Sequence, residues 1–489
     1  MRDDADIAAM PLTPRLVPSW RIKAIYALGQ VAQSGGFEAA IGFIFFYYTA
    51  VLGLSGSLVG AALAISLGFD AVVDPVIGSI SDNVRSRLGR RLPVMIAAIP
   101  FAVVSIGLLF SPPTHLAPMA LFAWLTVTSI AVRSAISAFN VPYIALGAEL
   151  ADGYAERSSV VAYRTLVGIF SNVAVIAVAY TVFFSGPGGL LRRDGYPGLG
   201  WAVALFMLVG MTLCCLGIAR HAAGLPRAAT TPGNLVTRLP AELREIFANP
   251  SFRLLFGSLV IFYVAVGANA ALGSHAAIFV WKLPATLLQF ASYAVLLGVL
   301  IGVPITPVLQ RRIEKKSVVN IGLGMIIASW VVLPVLRVAG IFTLTGPSVL
   351  GPLCALAVFG GIGIGLAVIA YPSMMADAAD EHELLFGSRR EGLYFAGLGF
   401  AAKAANGVGV LVGGFALDLI GFPADALHHP GLVLSEPLLR RLILGWGPLP
   451  ALFGAAAIVL LAGYKISRRR HDEIGRALYD RGRRDATPF

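Results

Sequence analysis

Stretches of about 20 predominantly apolar residues, the length a helix needs to cross a bilayer, recur from one end of this chain to the other. "VMIAAIPFAVVSIGLLF" (94–110), "AVALFMLVGMTLCCLGIA" (202–219) and "LFGAAAIVLLAGY" (452–464) with its flanks are three of them. In lipid every backbone N–H and C=O must be satisfied within the protein, which leaves helices and closed barrels. Runs this long are too long for barrel strands, which need only about 9–11 residues. Composition agrees: of 489 residues 57% are hydrophobic and 13% charged, with a mean hydropathy of +0.81. A soluble domain carries roughly 25% charge. The expectation is an all-α polytopic membrane protein.

Twelve spans are predicted, at 23–52, 57–82, 93–111, 118–145, 159–185, 198–219, 253–281, 285–309, 317–337, 350–374, 392–420 and 445–464. The long gap lies in the middle and divides the chain into two six-helix halves. The organisation is therefore an N-terminal tail (1–22), a six-helix half (23–219), a central loop (220–252), a second six-helix half (253–464) and a basic tail (465–489). The net charge of +11 does not signal nucleic acid, because its placement follows the membrane. Of 37 Lys and Arg residues, 28 fall on the side of the two termini, 6 on the other side, and 3 within spans. By the positive-inside tendency the termini are cytoplasmic. The tail "MRDDADIAAMPLTPRLVPSW" lacks the apolar centre of a signal peptide. Cys214, Cys215 and Cys354 lie in apolar runs and read as packing residues, not as a disulfide or zinc framework.

The halves echo one another. "NVPYIALGAELADGYAER" (140–157) after span four resembles "AYPSMMADAADEHE" (370–383) after span ten. Internal repetition with a site between the repeats is a transporter architecture. Inside the spans stand six charges that need a reason: Glu38, Asp70, Asp74, Arg133, Arg164 and Lys403. Each costs at least about 2.5–3.5 kcal/mol at a helix centre on insertion scales, so partners, water or function must hold it there. Asp70 and Asp74 are one turn apart on one face. Two ionised carboxylates that close repel unless a cation or proton is shared. The pair thus reads as a site for H+ or Na+, or as a structural salt bridge held by Lys403 or an arginine. Arg133 and Arg164 read as forks for an anionic or hydroxyl-rich solute, or as ion-pair partners of these acids. His275 reads as a hydrogen-bonded helix residue rather than a proton relay. The strings "GGIGIG" (360–365) and "GVGVLVGG" (407–414) sit inside spans and read as close helix packing. There is no HExxH or GxSxG motif, so neither an enzyme nor a cofactor is expected.

"DAVVDPVIGSISDNVRSRLGRRLP" (70–93), "NVPYIALGAELADGYAERSSVVAYR" (140–164), "SRREGLYFAGLGFAAKAANGVGVLVGGFALDLIGF" (388–422) and "YYTAVLGLSGSLVG" (47–60) resemble the glycoside–pentoside–hexuronide:cation symporter family of the major facilitator superfamily, to which melibiose permease belongs. The resemblance implies a major facilitator fold and a set of roles. Asp70 and Asp74 would bind the coupling cation, assisted by Ser137. Arg164 would contact substrate, and Lys403 would lie between the cation and the sugar. Gly78, Asp82, Arg85, Arg90 and Arg91 would form the superfamily's gating loop, with Asp82 beside Arg85. Where melibiose permease holds its sugar with acids, this chain has Ser34 and Asn140; Glu38, one turn after Ser34, is a replacement acid. Val73 stands where relatives offer an oxygen, which argues for H+ over Na+. Arg133 is not a family feature and points to an anionic solute such as a uronide.

The resulting expectation is a monomeric bacterial inner-membrane symporter, coupled to H+ or Na+, for a small sugar, glycoside or uronide. A carrier of a lysolipid-like amphiphile and an uncoupled facilitator are the alternatives. The partners would be the solute, the coupling cation and the bilayer, with no nucleic acid.

Overall fold

The computed structural model describes residues 18–151, 154–223, 235–387, 391–423 and 434–485. Most of the N-terminal tail, the middle of the central loop (224–234) and the 388–390 start of the "SRREG" motif lie outside these. Eleven helices are long and apolar enough to cross a bilayer. They run Gly56–Asn83, Leu92–Phe110, Pro118–Glu149, Glu156–Phe183, Gly195–His221, Pro250–Val280, Ala285–Arg312, Lys315–Val338, Gly346–Phe386, Glu391–Ile420 and Glu436–Ala462. A further crossing precedes them at 20–51, a helix interrupted by two π-helical stretches, Val31–Glu38 and Tyr47–Val51. It completes the twelve. Numbered in order as spans one to twelve, they return both chain ends to one face, called here the terminal face; the opposite is the far face.

Ten predicted spans lie close to the observed helices, and two fall short. Span ten runs on to Phe386 instead of 374, carrying the acidic "MADAADEHE" as helix. Lys315 bonds both oxygens of Asp377 there at 2.7 Å, so the charged turns have partners. Span twelve starts at Glu436 instead of 445, with a break at Gly447 and Pro448. Arg440 and Arg441 had masked that first amphipathic turn. The central loop contains a surface helix, Leu235–Ala248, tied to span ten by His382 and Glu245 at 3.2 Å. The basic tail forms a helix, Arg468–Asp485, whose Ile474 is buried.

The hydrophobic interior is not symmetric between the faces. One core joins the whole N-terminal half to far-face ends of the other half, through Leu272, Trp281, Leu417 and Leu442. A separate core, with Phe252, Tyr371, Met374 and Tyr394, belongs to the C-terminal half towards the terminal face. The halves therefore adhere at the far face and part at the terminal face. The glycine strings serve this packing. A Cβ on Gly60 would stand 2.7 Å from Leu411 Cα of span eleven, and Gly56 and Gly414 meet backbone to backbone. Gly361 likewise packs span ten on Gly298 of span eight, and Gly409 packs span eleven on Gly267 of span seven. Small residues at such crossings are what allows helix backbones to approach in lipid.

Candidate functional site

Span two carries both aspartates in the turns before Pro75, whose missing N–H removes one helical hydrogen bond there. Asp70 faces span four. Its Oδ2 lies 3.1 Å from Arg133 Nη1, and both side chains are about nine-tenths buried. Arg133 Nε donates to Ser66 Oγ at 3.0 Å, Ser66 donates onward to the Leu63 carbonyl, and the guanidinium lies 4.7 Å from the Phe37 ring centre. Asp74 faces the other half, where Lys403 Nζ of span eleven lies 3.1 Å from its Oδ2. This second pair is wetter, its side chains 30% and 50% exposed. Oδ1 of each aspartate is buried with no hydrogen-bond partner among the described residues. Among the described residues, Asp74–Lys403 is the one ion pair that joins the two halves.

The acids thus stand neither bare nor fully satisfied. Each is neutralised by its own base, and each keeps an oxygen unspent. Ser137 is buried one turn beyond Arg133 but makes no hydrogen bond to either carboxylate. Arg133, one of the expected solute contacts, is committed to Asp70 instead.

Three of the other expected solute residues, Ser34, Glu38 and Arg164, line a cavity of about 330 Å³ between spans one, five and eight. Asn140, Lys403 and Arg133 do not line it. The π-helical stretch of span one carries Ser34 and Glu38. Gln30 donates to Ser34 Oγ at 3.1 Å, Gln33 to Glu38 Oε1 at 3.1 Å, and Asn172 to the Ser34 carbonyl at 3.3 Å. Arg164 takes part in none of the described ion pairs, so its charge is uncommitted to a carboxylate. Gly168, one turn on, keeps the wall open: a Cβ there would meet Ser34 Oγ at 3.0 Å. Gln30, Asn172, Ser292 and Tyr293 are lining residues that the sequence reading missed. Asn172 was within reach of it, since it follows Arg164 by two helical turns on the same face.

At the terminal face, Asp82 pairs with Arg91 at 3.5 Å. The hub is Glu149 at the end of span four, which binds Arg91 at 2.7 Å and also Arg90. Arg85 is exposed, and Gly78 has only ordinary clearance from Val141. Glu149 was overlooked because its acidic stretch read as loop.

The far face is held by different chemistry. Asp418, at the end of span eleven, accepts from the N–H groups of Gly56 at 2.7 Å and Ser57 at 2.8 Å. A carboxylate at a helix N-terminus satisfies orphan donors and meets the positive end of the dipole. Beside it, buried His275 of span seven bonds Thr49 Oγ1 of span one at 3.0 Å. Asp418→Ala is expected to weaken far-face closure by about 1–2 kcal/mol, a factor of roughly 5–30 in the state populations. Spin labels at Thr114→Cys and Ile341→Cys, on opposite halves of that face, check it: unchanged distances would remove Asp418 from the closure.

The chain matches the family description MFS/sugar transport protein over residues 25–468. It is 26% identical to the isoprimeverose transporter of Lactiplantibacillus pentosus, covering 93% of this chain and 90% of that one. It is 24% identical to a glucuronide carrier protein homolog of Escherichia coli, covering 93% and 94%. In fold it resembles the inward open xylose transporter XylE from E. coli, with TM-score 0.59 and 15% identity over 93% and 99% of the two chains. The match runs through both halves, the paired spans and the cavity between them, and the chain belongs to the MFS/sugar transport protein family, a membrane transporter and not an enzyme.

Proposed function

We propose that this protein is a cation-coupled symporter that carries a small sugar, glycoside or uronide by alternating access. The observation that carries this reading is the pair of acid–base contacts at mid-depth, each leaving one buried carboxylate oxygen unpartnered. A resident salt bridge with no transport role would be expected to use those oxygens. The names of relatives, an isoprimeverose transporter and a glucuronide carrier protein homolog, support the solute class.

The charge distribution supports a cytoplasmic terminal face, and the bacterial relatives support placement in the inner membrane of a bacterium. The structure is then the state closed outside and open inside. Proton arrival at Asp74 neutralises the carboxylate and releases Lys403, which breaks the ion pair linking the halves at mid-depth. Asp70, dry and held by Arg133 through one oxygen, keeps its counter-charge. The released base is thus Lys403, while Arg164 already faces the solute cavity. Val73 contributes no oxygen beside the acids, so the donor set suits H+ better than Na+. Each ligand then favours the state the other prefers, and the coupling is reciprocal. One copy contains the whole site, which fits a monomer.

Proteoliposomes of the full chain test this. An imposed inward proton gradient is expected to concentrate a labelled glycoside above its external level, and collapsing the gradient to release it. Uptake that only equilibrates, under pH and Na+ gradients alike, would make the protein an uncoupled facilitator.

A further inference from the structure

A second cavity, of about 340 Å³, lies towards the far face, walled by spans seven, eight, nine, ten and twelve of the C-terminal half and by Tyr180 of span five. Three of the chain's six tryptophans line it: Trp281, Trp330 and Trp446. Trp281 is 1% exposed, and its indole N–H has no acceptor among the described residues. Asn269 donates to the Trp446 carbonyl at 2.8 Å, which fixes its amide and leaves the side-chain oxygen as an acceptor on the wall. Ser292 of span eight lines both this cavity and the polar one beside Arg164. The two chambers therefore adjoin at one residue.

We propose that this second chamber receives the flat, apolar aglycone of a glycoside whose sugar ring occupies the polar chamber. The inference rests on the sugar or glycoside reading above and narrows it to conjugates. Indole faces stack on flat rings and bury large apolar areas. A few placed polar groups in an otherwise apolar lining set orientation. The unpartnered indole N–H of Trp281 favours an aglycone that carries an acceptor, such as a phenolic, carbonyl or nitro oxygen. A saturated acyl chain stacks poorly on indoles and gives that N–H nothing.

The test uses purified full-length protein and matched pairs of probes: 4-nitrophenyl and methyl β-D-glucuronide, and 4-nitrophenyl and methyl β-D-glucoside. The nitrophenyl member of at least one pair is expected to bind about tenfold more tightly, from stacking and burial together. It should also quench tryptophan fluorescence, which the methyl member leaves unchanged. Trp330→Ala should reduce that advantage to about threefold or less, leaving methyl-glycoside affinity unchanged. If Trp330→Ala does not fold, Trp330→Phe with loss of part of the quenching gives the same information. Equal affinities within each pair, insensitive to Trp330, would overturn the aglycone chamber and leave the sugar reading standing. Binding of none of the four probes would overturn both. Quenching by a nitroxide-labelled lysophosphatidylcholine that no glycoside displaces would assign the chamber to lipid and overturn the proposal.

Discussion

Asp74→Asn is expected to abolish concentrative uptake while sparing exchange of the solute across the membrane. The asparagine cannot hold Lys403 by charge, so the contact between halves is released permanently, as it would be after proton binding. The solute still binds beside Arg164, and the halves still move. A driving force of 100 mV on one proton is worth about 2.3 kcal/mol, or roughly fiftyfold accumulation. That gain should fall to none in the variant, read as labelled solute retained under an imposed gradient, while counterflow between preloaded and external solute persists. Accumulation equal to that of the unmodified protein would remove Asp74 from the coupling. Loss of counterflow as well would place Asp74 in solute binding or folding instead.

Arg133→Leu is expected to be the most destabilising of the single changes considered, by about 3–5 kcal/mol, because it strands the Asp70 carboxylate in a dry site. The contrast with Asp74 comes from burial: the Arg133–Asp70 pair is about nine-tenths buried and Lys403 is half exposed. Lys403→Leu should therefore cost far less stability. The Ser66 hydrogen bond and the contact with the Phe37 ring disappear together with the charge. Replacing both partners, Asp70→Asn with Arg133→Gln, should recover most of the loss, since two neutral groups can still hydrogen-bond. Thermal melting of the three variants in one detergent decides this. If Arg133→Leu alone melts like the unmodified chain, the pair is not an isolated buried one. If the double change melts no higher than the single, the cost lies in packing and not in charge.

The legible part of this protein was the part written in local sequence. Apolar length placed ten of the twelve spans because burial in lipid is decided run by run. It failed at Glu436–Trp446 and in the "MADAADEHE" turns, where charged residues sit on helix and their partners come from elsewhere, as Lys315 does for Asp377. The candidate site residues were visible as charges that ought not to be in lipid, and all six stand within helices. Their pairing was not visible. Asp70 meets Arg133 across 63 residues and Asp74 meets Lys403 across 329, and nothing in either stretch names its partner. Glu149 and Asp418 were missed for the same reason, since each acts on an arginine pair or a helix end brought to it by tertiary packing. The tryptophan chamber was least accessible of all, because its walls come from six separate spans.

The ion pairs at the terminal face have a consequence for the balance between states. Glu149 with its arginines closes on the N-terminal half alone, and Lys315 with Asp377 on the other half alone. Separating the halves there breaks none of these contacts, so they weigh equally on either side of the equilibrium. Dissolved electrolyte weakens attractions between exposed charges, but here those attractions hold each half to itself. These pairs therefore add no salt dependence to the balance between states, and ionic strength acts on it only through the charges that do cross between the halves, Asp74 with Lys403 and Asp418 with the start of span two.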